Sequence, residues 1–198
     1  MTDTQANTSA ARTYNGTDIP VPGTYALDAN HKRVGFVARH LMVSKVRGEF
    51  KEATATIVVA EDPLQSSVSA TIQTDSFHSN QEQRDGHVKS ADFLHAEKWP
   101  TLEYRSTGVK SFEGNEFVVT GELTIRDVTR PVDLKVELDG VGRSPYGQDV
   151  FGFSATAEID REDFGITYNM ALEAGGVMIS KTVKIEIEGE AIRQADAA

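Results

Sequence analysis

Apolar and polar residues alternate along most of this chain with a period of two. Val34, Phe36, Ala38 and His40 share one parity, as do Val68, Ala70, Ile72 and Thr74, Leu102, Tyr104 and Ser106, and Phe117, Val119, Gly121, Leu123 and Ile125. The step recurs in Val132, Leu134, Val136 and Leu138 and in Phe151, Phe153, Ala155, Ala157 and Ile159. It recurs again in Val183, Ile185 and Ile187, where the intervening Lys184, Glu186, Glu188 and Glu190 are charged. Successive side chains of a strand point to opposite faces, so the pattern predicts strands with one apolar face and one wet face. With a further stretch around Thr54 to Val58, there are about eight. Short turn signals separate them: EDP, FEGNEF, DVTRP and LDGVGRSPYGQD. An all-β antiparallel meander of this kind removes its exposed edges by closing into a barrel. A two-sheet sandwich is the alternative.

One segment breaks the alternation. Between Asn80 and Leu94, Gln81, Arg84, Val88 and Ala91 fall at helical spacing, which predicts a short helix covering part of the barrel. Ser79 or Asn80 is placed to cap it, and Asp85 with Lys89 forms an i,i+4 ion pair. Gly86 costs such a helix about 1 kcal/mol relative to alanine, so packing must hold it. The polar start, rich in Thr, Asn, Ala and Ser, reads as a disordered tail over residues 1–22, ended by Pro20, Pro22 and Gly23. The domain then spans residues 23–192, with a frayed tail over 193–198. Gly175 and Gly176 read as a hairpin turn ahead of the last strand.

A chain of 198 residues, 39% of them apolar, suits one domain with its own core. Thirty acidic against 20 basic residues give a net charge of −10, which argues against nucleic acid as a partner and against a broad grip on an anionic bilayer. Any anionic ligand must be held locally. There is no cysteine, hence no disulfide, thiol nucleophile or thiolate metal site. No apolar run is long enough for a signal core or a membrane span, so stable membrane insertion is not expected and a cytoplasmic location is. A mature form trimmed after export would read the same way.

The inward parity mixes small residues, Ala38, Ala70, Gly121, Ala155 and Ala157, with the large Phe36, Ile72, Tyr104, Leu123 and Phe153. An eight-stranded barrel either fills with such side chains or holds one small ligand, and parity leaves both readings open. Five histidines are present without an HxH or HExxH pair, so no metal and no cofactor is expected. His40 shares the inward parity and reads as a hydrogen-bonded core histidine, a headgroup contact or a general base. No nucleophile elbow and no glycine-rich phosphate loop occurs. Arg161, Glu162 and Asp163 look like a solvated or ion-paired corner. Among the basic residues, Arg84 is the foremost candidate to pair with a phosphate or carboxylate headgroup at a cavity mouth.

Several segments in order resemble the YceI-like family of polyisoprenoid-binding, lipocalin-like proteins. They are YALDANHKRVGFVARHLMVSKVRGEF, RDGHVKSADFL, EKWPTLEY, GELTIRDVTRPV, IDREDFGI and AGGVMISKTVKIEIEGEA, together running from about Gly23 to Ala191. The resemblance implies an eight-stranded antiparallel lipocalin-like barrel whose apolar interior holds an isoprenoid chain or similar amphiphile, with no chemistry of its own. It implies Phe36 and His40 as wall residues, and Arg84, Asp85, His87, Asp92 and Phe93 as a helical signature that meets the ligand or latches helix to barrel. The chain departs from the family pattern at Lys32, His95, Trp99 and Asp127, positions in loops and linkers.

The combined expectation is a binding protein, not an enzyme, that sequesters or transports a polyprenyl chain, quinone or fatty-acyl amide. Its ligand-binding residues are Phe36, Ala38, His40, Ile72, Arg84, His87, Phe93, Tyr104, Leu123, Phe153 and Ala155. Two alternatives stand beside it: a hydrolase or isomerase using His40 or His87 as base, and a dry barrel that binds a protein. Homodimerisation is compatible with the sequence, although no apolar seam argues for it.

Overall fold

The computed structural model describes residues 10–171 and 177–195. Its strands are β1 (Ala11–Tyr14), β2 (Thr17–Pro20), β3 (Gly23–His40), β4 (Ser44–Phe50), β5 (Ala53–Val59), β6 (Ser67–Gln73) and β7 (Phe77–His78). After the helix α1 (Glu82–Lys89) come β8 (Thr101–Glu113), β9 (Glu116–Ile125), β10 (Val128–Pro131), β11 (Leu134–Arg143), β12 (Asp149–Asp160) and β13 (Ile179–Arg193). All pairings are antiparallel. β4 and β5 lie against the far and near halves of β3 and act as one strand broken at Lys51–Glu52. The sheet then runs through β6, β8, β9, β11, β12 and β13, and β13 returns to β3, pairing Ile185 with Phe36 and Val183 with Ala38. This closes a barrel of eight strand positions among the described residues and decides against the open sandwich.

The alternation is realised as expected. Val34, Phe36, Ala38, Val68, Ala70, Ile72 and their counterparts on β8 to β13 face the interior. Several of them, including Phe36, Ala38, Ile185 and Ile187, are only half-buried although they point inward. An inward apolar side chain keeps accessible surface only where the interior is not filled.

The N-terminal segment is a correction. Residues 11–20, expected within a disordered tail, form a hairpin, with Tyr14 paired to Thr17 across Asn15 and Gly16. Both loop residues have positive φ, 49° and 82°, the geometry that an Asn-Gly pair tolerates best. Ile19, 2% exposed, packs with Tyr25, Val59, Leu138, Phe151 and Ala191, so the hairpin plugs one end of the barrel. The C-terminal tail is also firmer than expected. Arg193 belongs to β13, donates from Nη2 to Pro22 O at 3.1 Å and lies 3.5 Å from Asp149. Residues 1–9 and 196–198, and the Gly175–Gly176 turn, lie outside the described residues.

At the opposite end sit α1 and the 3-10 turn Arg161–Phe164. The helix is shorter than expected and its cap is Gln81, whose side chain accepts from Arg84 N–H; Asn80 instead takes a positive φ of 61°. The expected Asp85–Lys89 pair does not form. Asp85 accepts from Ser79 Oγ, and Lys89 reaches Asp75 at 3.5 Å. Tertiary partners outcompete an i,i+4 pair worth only a few tenths of a kcal/mol.

Candidate functional site

The barrel interior contains a cavity of about 870 Å³. Small-molecule sites occupy about 300–1,000 Å³, so this volume suits a ligand of lipid size. Every residue expected at the site lines it. Phe36, Ala38 and His40 come from β3, Ile72 from β6, Tyr104 from β8, Leu123 from β9, and Phe153 and Ala155 from β12. Arg84 and His87 approach from α1 and Phe93 from the turn after it. The walls are almost entirely aliphatic and aromatic, which suits burial of a hydrocarbon chain and offers little chemistry along it.

The small residues do not act alike. Ala38, Ala70 and Ala155 line the cavity, whereas Gly121 and Ala157 do not. A β-carbon on Gly121 would lie 2.5 Å from the Tyr104 ring and hydroxyl, so this glycine makes room for a wall residue. The Tyr104 hydroxyl points into the wall, 3.1 Å from the carbonyls of both Val119 and Val132. Burial pushes its phenol above the ordinary range, so Tyr104 offers the cavity a ring face and no ionisable group.

The polar groups gather at the helix end. His87 Nε2 is 2.9 Å from Asp92 Oδ2, and the imidazole meets Phe93 and Tyr168 edge-on at 5.0 and 4.9 Å. His87 therefore both latches the helix onto the barrel end and faces the cavity. Arg84 is oriented by Ser79, donating from Nε to Oγ at 2.6 Å and from Nη2 to the carbonyl at 2.8 Å. Exposed Gln81, Gln83 and Arg39 also border the cavity, which places part of its rim at this end. The His40 ring makes no hydrogen bond among the described residues, contrary to the core-histidine reading; His40 stands at the rim, opposite Ile179.

Arg161 is the residue that sequence reasoning misplaced. It is no solvated corner: it is 4% exposed and borders the cavity. Its Nε donates to Ser180 O at 3.0 Å and its Nη1 to Ile166 O at 2.6 Å, while Nη2 has no partner. Glu162 is drawn away to Lys181 at 2.7 Å. Desolvation pulls the Arg161 pKa down, yet guanidinium stays charged in proteins, so a cation without a bonded carboxylate sits beside the cavity. The signal was available, since Arg161 continues the inward parity of Phe151 to Ile159.

Away from the cavity, ligand atoms of Asp28, His31 and Glu190 lie within 4.8 Å of one another. His31 is exposed and its Nδ1 is 2.6 Å from Asp28. The backbone N–H of Asn30 and then His31 hold the Asp28 carboxyl below its usual range.

Comparison with known proteins agrees with this architecture. The family model described as the YceI-like domain matches residues 25–191. A UPF0312 protein of Staphylococcus aureus strain N315 is 35% identical over 168 residues, covering 84% of this chain and 95% of the relative. Among solved structures, Burkholderia cenocepacia BcnA superposes with a TM-score of 0.73 at 22% identity, covering 83% of this chain and 98% of that one. The Campylobacter jejuni YCEI protein gives 0.69 at 28% identity, covering 79% and 90%. A polyisoprenoid binding domain from Saccharophagus degradans, implicated in plant cell wall breakdown, gives 0.61 at 14% identity, covering 86% and 98%.

Proposed function

The chain belongs to the YceI-like family, and from that premise we propose that it binds an isoprenoid-type amphiphile in the barrel interior and sequesters or ferries it. The ligand class is a polyprenyl chain, a quinone or a fatty-acyl amide. The observation that carries this reading is the apolar cavity of about 870 Å³, walled by inward residues from around the barrel. The likeness in fold to the Saccharophagus degradans polyisoprenoid binding domain supports it. Each chain carbon moved from water onto these walls contributes about 0.8 kcal/mol, offset by the freedom lost on association. Such walls give affinity without chemical selectivity, so cavity depth reads chain length. The polar end of the ligand belongs at the helix end, where Arg161 and Arg84 favour a headgroup that accepts hydrogen bonds or carries negative charge.

The His87–Asp92 pair is the arrangement closest to a catalytic one, but two aromatic edges hold its imidazole. Among the described residues its ring bonds only to Asp92, leaving no activated nucleophile. A binding role is therefore the better reading. Organic extraction of freshly purified protein, followed by mass analysis, should release an amphiphile with a long hydrocarbon chain. Delipidated protein should then take up an added polyprenol, seen as a mass increment under native mass spectrometry. Failure of the protein both to release such a lipid and to take up polyprenol would sink the proposal.

A further inference from the structure

The hairpin joining β3 to β4 turns through His40, Leu41, Met42 and Val43, with Val43 N–H donating to His40 O at 3.0 Å. Leu41 and Met42 both hold left-handed backbone conformations, φ 52° and 57°. His40 pairs with Ser44, so the loop has three residues, and its first two hold a left-handed backbone that asparagine and glycine tolerate better than a large side chain does. Here the two positions carry large apolar side chains. Burial does not offset the strain: Leu41 is 40% exposed, Met42 57% and Val43 85%. Met170, 53% exposed, joins them through the backbone, since Leu41 N–H donates to Met178 O at 2.8 Å and Met178 N–H to Met170 O at 3.1 Å. Strain of this kind persists mainly where a function uses it, and exposed apolar clusters mark contact surfaces.

We propose that this tip docks reversibly on the headgroup region of an anionic phospholipid bilayer. Charge supports that occupant. Just behind the tip, Arg39 and Lys45 face each other in the β3–β4 register, both exposed. Neither side chain has a carboxylate partner among the described residues, although the chain as a whole carries a net charge of −10. Apolar side chains projecting beyond a pair of free cations match the depth profile of a membrane interface, with hydrocarbon below and phosphate above. The overall negative charge opposes a broad electrostatic grip and leaves room for a contact this local. Continuity with the cavity gives the contact a use, because Arg39, His40, Val46 and Met178 also border the interior. Docking through the tip brings that rim to the lipid surface. No helix among the described residues is long and apolar enough to cross a membrane, in keeping with a surface contact.

The test uses the full chain with vesicles of phosphatidylcholine alone and of phosphatidylcholine with phosphatidylglycerol in equal parts, read by co-sedimentation. Wild type should partition onto the anionic vesicles and much less onto the neutral ones. The double variant Leu41→Asn, Met42→Gly installs the residues the turn prefers, so it should fold at least as stably while partitioning at least about tenfold less. The double variant Arg39→Gln, Lys45→Gln should lose roughly tenfold on anionic vesicles and little on neutral ones. Retention of polyprenol uptake by the Asn-Gly variant would separate this result from the fate of the cavity proposal. Equal partitioning of wild type and the Asn-Gly variant would overturn docking, as would absence of wild-type binding to both vesicles. So would sedimentation velocity showing a wild-type dimer that the Asn-Gly variant dissolves, since a second copy would then cover the tip.

Discussion

Ala38 and Gly121 occupy the same parity on their strands and read alike in the sequence, yet the space in front of each differs. Ala38 is half-buried and borders the cavity, so Ala38→Trp should fold normally, with its ring filling the hollow. Polyprenol affinity should fall at least about tenfold, equivalent to about 1.4 kcal/mol, in a fluorescence or native-mass titration. Gly121 has no such room, because an added β-carbon would meet the Tyr104 ring at 2.5 Å and Arg105 O at 2.7 Å. Gly121→Ala should therefore cost about 1–3 kcal/mol of stability by urea unfolding, the penalty typical of overpacking. Parity disclosed that both residues point inward; which atoms stand opposite was not legible. Arg161 teaches the converse. Its parity was legible and pointed inward, but its charge led to a surface reading, and only packing disclosed a guanidinium that bonds to two carbonyls and no carboxylate.

The elements at the two ends of the barrel were legible to different degrees. The N-terminal hairpin carried a plain turn signal in Asn15–Gly16, but its two buried residues, Ile19 and the adjacent Pro20, gave no period-two stripe to read. Its stability comes from docking, because an isolated two-stranded hairpin is marginal in water. Ile19→Ala should cost about 2–5 kcal/mol if the hairpin unfolds with the barrel. If the hairpin opens alone, the loss should appear as faster amide exchange confined to β1 and β2. Hydrogen exchange followed by mass spectrometry distinguishes the two outcomes. Helix α1 shows how tertiary contacts override local ones. Spacing placed it in the right segment, but its boundary, its cap and the partners of Asp85 and Lys89 were set by Ser79, Gln81 and Asp75.

At the scale of the whole molecule, closure is the decisive event. β13 pairs with β3 across most of the chain length, and no local feature of either strand names the other. The strict period of two and the turn chemistry between strands were enough to determine an all-β antiparallel fold with one apolar face per strand. Those are local consequences of side-chain alternation and backbone geometry. Whether that face encloses packed side chains or a hollow was left to the tertiary structure, because alternation is the same in both cases. Strand number and stagger set the width, and the reach of a few side chains, such as Tyr104 over Gly121 and Ile19 at the plugged end, sets what space is left.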